Sequence, residues 1–207
     1  MKVLLVNGSA HVNGCIKRAL TEVEKILHEE GIETEMIEAG RQEIRGCIGC
    51  GGCRKLGKCV FDDAVNETAV KFEEADGIIV GSPTYYGHAN GGVLAFCDRL
   101  FYSTSFDKSM KVGAAVISSR RGGSTSAFED INKYFTISCM PIASSTYWNE
   151  VHGFTAEDVE KDLEGLQTMR NLGRNMAFLL RAIAAEKEKS GLPLKEREAH
   201  THFHTGL

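Results

Sequence analysis

Four cysteines fall within thirteen residues, in the pattern Cys47-x2-Cys50-x2-Cys53-x5-Cys59. Gly46, Gly49, Gly51 and Gly52 interleave them, so the backbone there can wrap closely around something small. Closely spaced C-x2-C units supplying four thiolates are a ligand set for iron–sulfur clusters. The last gap is longer than in the bacterial ferredoxin run, and no Pro follows Cys59. The pattern nominates Cys47, Cys50, Cys53 and Cys59 as metal ligands, with a 4Fe-4S cluster ranked above a structural zinc. A metal-free cysteine loop stays open beside both. Of the other cysteines, Cys97 and Cys139 read as core, and Cys15 opens a helix, where a sulfur facing an anion site has a lowered thiol pKa.

Three more stretches carry the residue types of a ligand site. Asn7-Gly8-Ser9-Ala10-His11-Val12-Asn13-Gly14-Cys15 joins an apolar run to a helical pattern. Its small and polar residues leave backbone N–H groups, the Ser9 hydroxyl and a helix N-terminus free to surround an anion. It is not a dinucleotide fingerprint, because Ala10 stands where the second Gly belongs, and not a Walker A loop, because Cys15-Ile16 replaces Lys-Ser. A single phosphate monoester fits it best. The second stretch, Gly81-Ser82-Pro83-Thr84-Tyr85-Tyr86-Gly87, offers two flat aromatics suited to a planar ring. The third, Ser118-Ser119-Arg120-Arg121-Gly122-Gly123, sets two cations beside two glycines. Each stretch alone is compatible with an ordinary turn. Three at successive strand ends describe a site for a phosphorylated, planar, redox-type cofactor.

The elements that must position them alternate. Apolar runs at 2–6, 34–37, 78–80, 111–118 and 140–144 predict five strands. Helical spacing predicts helices from Ile16 to Leu27, closed by Gly31, over 64–74, 92–103 and 124–135, and from Thr155 to about Lys187 with Asp158 completing a capping box. Residues 39–62 form a long glycine- and cysteine-rich connection, a length that is usually functional. Strands alternating with helices predict an α/β, doubly wound parallel sheet with helices on both faces. Ligands of such sheets bind beyond the carboxyl ends of the strands. Residues 1–188 are expected to form one domain and 189–207, with Pro193 and the His200, His202 and His204 run, an extended tail.

Composition narrows the function classes. The 207 residues are 43% hydrophobic and 25% charged, which excludes wholesale disorder. A net charge of −4 argues against a nucleic-acid partner. No apolar run is long enough for a membrane. The opening apolar run is short and reads as a buried strand rather than a signal-peptide core, so a cytoplasmic location is expected.

Asn7-Gly8-Ser9 with Asn13-Gly14, then Gly81-Ser82-Pro83-Thr84-Tyr85-Tyr86 and the Asp98-Arg99 helix, resemble the NADPH-dependent FMN reductases of flavodoxin-like fold over about residues 1–180. The resemblance implies strand order 2-1-3-4-5, bound FMN, NAD(P)H as hydride donor, and a homodimer or homotetramer. It places the FMN phosphate on Ser9, His11, Asn13, Gly14, Cys15 and Ile16. It places the ring against Ser82, Pro83, Thr84, Tyr85, Tyr86 and Gly87, with Ser119, Arg120 and Gly122 approaching from the third loop. Ala10 and Ile16 depart from the commoner Pro and Thr. Arg120 and Arg121 are the candidates for stabilising negative charge, with no protein nucleophile expected. The implied activity is electron transfer from NAD(P)H through FMN to a quinone, nitro compound, free flavin or protein acceptor. The cysteine motif resembles that of the iron-sulfur flavoproteins, which implies the alternative of an electron carrier with a 4Fe-4S cluster.

Overall fold

The computed structural model describes residues 1–196, 199 and 201. In chain order the elements are β1 (Lys2–Asn7), α1 (Cys15–Glu29), β2 (Glu33–Glu38), α2 (Cys53–Leu56), α3 (Ala64–Glu74), β3 (Gly77–Tyr85) and β4 (His88–Ala89). They continue with α4 (Gly91–Ser103), β5 (Val112–Ser119), α5 (Ser124–Ile137), β6 (Glu150–His152), α6 (Ala156–Val159) and α7 (Leu163–Ser190). The parallel path runs β2-β1-β3-β5-β6, and the two-residue β4 pairs antiparallel with the end of β3. With β4 set aside this is the expected 2-1-3-4-5 order.

The alternation of a strand divides the core into two layers. Val3 and Leu5 of β1, Ile79 of β3, and Val112, Ala114 and Val116 of β5 pack under α1 and α7. Leu4 and Val6, Ile78 and Val80, and Ala115 and Ile117 face the other way, under α3, α4 and α5. Helix α1 buries Ile16, Leu20, Val23 and Leu27 at the expected spacing. It closes on Gly31 (φ +75°), whose N–H donates to the His28 carbonyl while Ile32 N–H reaches the Leu27 carbonyl, a Schellman ending. Among the described residues no helix is long and apolar enough to cross a membrane.

Four expectations are corrected. The strand expected over 140–144 is a loop that touches the sheet through a single bridge, Ile142 to Gly113. The fifth parallel position belongs to Glu150–His152, which pairs with Ile117, Ser118 and Ser119. The last helix is interrupted: α6 ends at Val159, and Asp162 caps α7 by accepting from Gly165 N–H at 2.9 Å while its other oxygen accepts from His152 N–H at 2.6 Å. The capping-box carboxylate is present, since Asp158 accepts from Phe154 and Thr155 N–H. Cys97 is buried as read, but Cys139 is exposed. It holds the left-handed position after α5 (φ +56°), where the Met140 N–H returns to the Phe135 carbonyl. Of the expected tail, α7 takes in residues through Ser190, and 191–196 have no regular structure. His200, His202 and His204 lie outside the described residues.

Candidate functional site

The carboxyl ends of β1, β3, β5 and β6 surround a cleft of about 540 Å³, within the range of a cofactor pocket. Ser9, His11, Asn13, Gly14 and Cys15 form one wall, Pro83, Thr84 and Tyr85 the second, and Ser118, Ser119 and Arg120 the third. The three stretches singled out in the sequence therefore converge on one site. A cleft of similar size lies at the amino ends of the strands, between Asp76, Lys111 and α7, away from all three loops.

The first loop is held open by its own hydrogen bonds. Asn7 Oδ1 accepts from Ser9 N–H at 3.1 Å, and Ser9 Oγ accepts from His11 N–H at 3.1 Å. Gly14 precedes α1, and no side chain caps that helix. Its first-turn N–H groups and the positive end of a 15-residue dipole are thus left facing the loop. Ile16 contributes only backbone, because its side chain is buried in the core.

The second loop is clamped from beneath. Asn90 N–H donates to Ser82 Oγ at 2.8 Å, and Asn90 Nδ2 donates to the Gly8 carbonyl at 3.1 Å. Ser82 is therefore a buried strut, not a cleft wall. Tyr86 sits at φ +59°, and the Gly87 N–H donates across it to the Tyr85 carbonyl at 2.8 Å. This is the rarer and strained form of γ-turn, and it leaves the Tyr86 ring fully exposed beyond the cleft. Gly123 (φ +94°) seats the third loop against the second: a Cβ there would stand 3.0 Å from Gly87 Cα and 3.1 Å from Thr84 Cγ2. Arg121, Gly122 and Gly87 are not among the cleft's walls, whereas the Arg120 guanidinium lines it and lies 5.8 Å from the Phe154 ring centroid.

Sequence reasoning missed the fourth wall, Gly153, Phe154, Thr155, Ala156 and Glu157. It follows β6, and Thr155 signals only a helix start in the sequence. It also supplies the partner of the Cys15 thiol, which does not meet the condition for a lowered pKa. The thiol donates to the Thr155 carbonyl at 3.3 Å, and burial, with Asp158 and Glu157 nearby, pushes its pKa up.

Thr84 Oγ1 is buried in the cleft wall without a hydrogen-bond partner among the described residues. An orphaned hydroxyl beside an uncapped helix end and a flat aromatic fits a ligand that carries both an anion and ring acceptors.

The cysteine loop leaves from this site. Gly40 N–H donates to the Asn7 carbonyl at 2.9 Å, and a Cβ at Gly40 would stand 2.3 Å from the Ser9 backbone. Cys47, Cys50, Cys53 and Cys59 are all free, and all four line one small cavity closed by Phe61, Arg99, Tyr102 and Ser103. Asn66 anchors it, accepting from Cys59 N–H and donating to the Cys59 carbonyl, each at 3.0 Å. Arg99 is buried. Its Nε donates to Cys59 Sγ at 3.2 Å and its two terminal nitrogens reach Asp63 at 2.7 and 2.9 Å. Burial opposes its charge, but the bonds to Asp63 and Cys59 outweigh that and hold its pKa above the ordinary value. Among the described residues no three His, Cys, Asp or Glu side chains meet around a point that would hold a single metal ion. The cavity itself, about 20 Å³, has room for about one water. The thiol set, rather than an internal void, is what fits a larger sulfur-bridged group.

Residues 1–153 match the family described as NADPH-dependent FMN reductase. The chain belongs to that family. An iron-sulfur flavoprotein of Methanocaldococcus jannaschii is 36% identical over 88% of this chain and 99% of its own length. The iron-sulfur flavoprotein of Methanosarcina thermophila is 30% identical over 91% and 100%. A flavodoxin from the domain Archaea, 18% identical, superposes with a TM-score of 0.57 over 87% of this chain and 99% of its own, a likeness of fold. The protein is thus a flavin-dependent oxidoreductase of flavodoxin-like fold in an FMN-binding family.

Proposed function

We propose that the cleft holds FMN and that the protein draws electrons from NAD(P)H. The FMN phosphate sits at the uncapped end of α1 among Ser9, His11, Asn13, Gly14 and Cys15 and the backbone N–H of Ile16. The ring lies against Pro83, Thr84 and Tyr85 with Tyr86 at its outer edge, over the supports Ser82 and Gly87. Ser119 and Arg120 meet it from the third loop, with Gly122 behind that wall. The observation that carries this reading is the unpartnered Thr84 hydroxyl. Left unmet it costs about 1–3 kcal/mol, a penalty that a ring acceptor removes.

Bound FMN accepts hydride and releases electrons onward, and the chain supplies orientation and charge. Arg120 places a cation at the cleft for the reduced ring or for the phosphates of NAD(P)H, with Arg121 at the rim. The domain runs from residue 1 through the end of α7, the protein is cytoplasmic, and a homodimer or homotetramer completes it. The acceptor is a quinone, a nitro compound, free flavin or another protein. An anaerobic absorption spectrum and stopped-flow mixing with NADH and NADPH test this reading. Bound flavin that neither nucleotide reduces sinks the hydride step.

A second reading has its own support. Four free thiols on one cavity, in a loop tied to the flavin cleft through Gly40, suit a 4Fe-4S cluster on Cys47, Cys50, Cys53 and Cys59. The relatives from M. jannaschii and M. thermophila carry the name iron-sulfur flavoprotein. On this reading the protein is an electron carrier that joins two-electron and one-electron chemistry. Stoichiometric iron and acid-labile sulfide in anaerobically purified protein support it, and their absence after reconstitution removes it.

A further inference from the structure

Helix α4 turns two donors toward the cysteine cavity. Arg99 is 1% exposed and heads the fully buried side chains in size. Its fork is divided: Nη1 and Nη2 serve Asp63 and the carbonyls of Arg45 and Phe61, and Nε is left for Cys59 Sγ. One turn further on, Ser103 is 6% exposed, lines the same cavity, and its Oγ has no partner among the described residues. A guanidinium is costly to bury, and Asp63 alone would satisfy it in many geometries. This geometry spends one donor on a sulfur, and a second donor nearby is unused.

We propose that Arg99 and Ser103 are positioning residues that set the reduction potential of a cluster held by Cys47, Cys50, Cys53 and Cys59. The proposal rests on the second reading above. One-electron reduction adds one negative charge spread over the cluster and its thiolates and moves no proton. A fixed cation and hydrogen-bond donors beside those sulfurs favour the reduced form and raise the potential. Asp63, a carboxylate on the far side of the same guanidinium, works in the opposite sense.

The test is a potentiometric titration of the reconstituted full-length chain, with dithionite as reductant and iron, sulfide and flavin counted per chain. Arg99→Gln lowers the cluster potential, Ser103→Ala lowers it less, and Asp63→Asn raises it. Asparagine keeps the α3 cap, because its side-chain oxygen can accept from Val65 N–H as Asp63 does at 3.1 Å. A merely structural role for Arg99 and Asp63 moves both variants the same way, since both would loosen one loop. Opposite signs at full iron content, with the flavin potential unmoved, are the expected result. Shifts of one sign, or none, overturn the proposal. If Arg99→Gln fails to retain iron, Ser103→Ala against Asp63→Asn carries the same comparison. A wild-type chain that takes up no iron and sulfide fails the cluster reading itself, and this proposal with it.

Discussion

Gly8 and Gly81 meet backbone to backbone at the root of the cleft at the carboxyl ends of the strands. Gly8 N–H donates to the Gly81 carbonyl at 2.8 Å, and a Cβ on Gly8 would stand 2.5 Å from that oxygen and 2.7 Å from Val93 Cγ2. The contact is fixed by the parallel register that sets Asn7 opposite Gly81. Gly8→Ala must separate the first two cleft loops or break that bond. A loss of roughly 1–3 kcal/mol is expected for such overpacking, seen as a drop in melting temperature of several degrees. FMN affinity falls with it, because the two loops that bracket the cofactor move apart. A variant that melts with the wild type would mean the loops can part freely.

Thr84→Val separates binding from stability. The Thr84 hydroxyl has no partner among the described residues, so replacing it by a methyl group of similar shape costs the flavin-free protein nothing and relieves a buried polar group. With FMN present the same change removes a donor, and affinity drops about five- to tenfold, the equivalent of ~1 kcal/mol. Flavin fluorescence titration and thermal melts on the same two proteins check both halves. Equal affinities would place the ring elsewhere in the cleft.

Elements that announced themselves in the sequence did so by local rules. The spacing of Ile16, Leu20, Val23 and Leu27 needs only α1 to reveal it, and the Asn7–Cys15 loop reads as an anion site from its own composition. What was hidden depends on distant partners. Glu150–His152 has one apolar residue in three, while Met140 and Ala143 nearby are buried. The edge position therefore looked better filled by residues 140–144 than by the strand that fills it. With the edge given to 140–144, the loop after β6 does not read as a cleft wall, and nothing local shows that the Cys15 thiol meets the Thr155 carbonyl. The break before Leu163 was equally obscure, because the Asp162 carboxylate serves both Gly165 of its own helix and His152 of the edge strand.

The seam between α1 and α7 is pH-dependent through Glu22. Its carboxylate lies between Arg18, at 2.9 Å, and Arg170, at 2.6 Å. Burial pushes its pKa up, but the two guanidinium groups prevail and hold it below the ordinary value. Stability from this triad is present above the unfolded carboxyl value of about 4.3 and is lost as pH falls through the lower folded value. Glu22→Gln should cost about 1 kcal/mol at pH 7. The gap in melting temperature between wild type and variant then closes as pH is lowered below about 4.5. A gap that persists at low pH would assign the loss to packing instead of charge.

Cys53→Ser tests the independence of the two sites. No wall of the proposed flavin cleft comes from the stretch 41–62, and the loop's tie to the cleft is made by Gly40, upstream of all four cysteines of the loop. Cys53 lines the cysteine cavity at the start of α2, where Gly57 N–H closes back on its carbonyl at 2.9 Å. Serine keeps that backbone turn and replaces a thiolate with a poor ligand for iron. FMN should bind with unchanged affinity and, on the cluster reading, iron and sulfide per chain should fall sharply. Flavin lost from a folded Cys53→Ser protein would show that the cysteine loop shapes the cleft, and the two sites would then have to be treated as one.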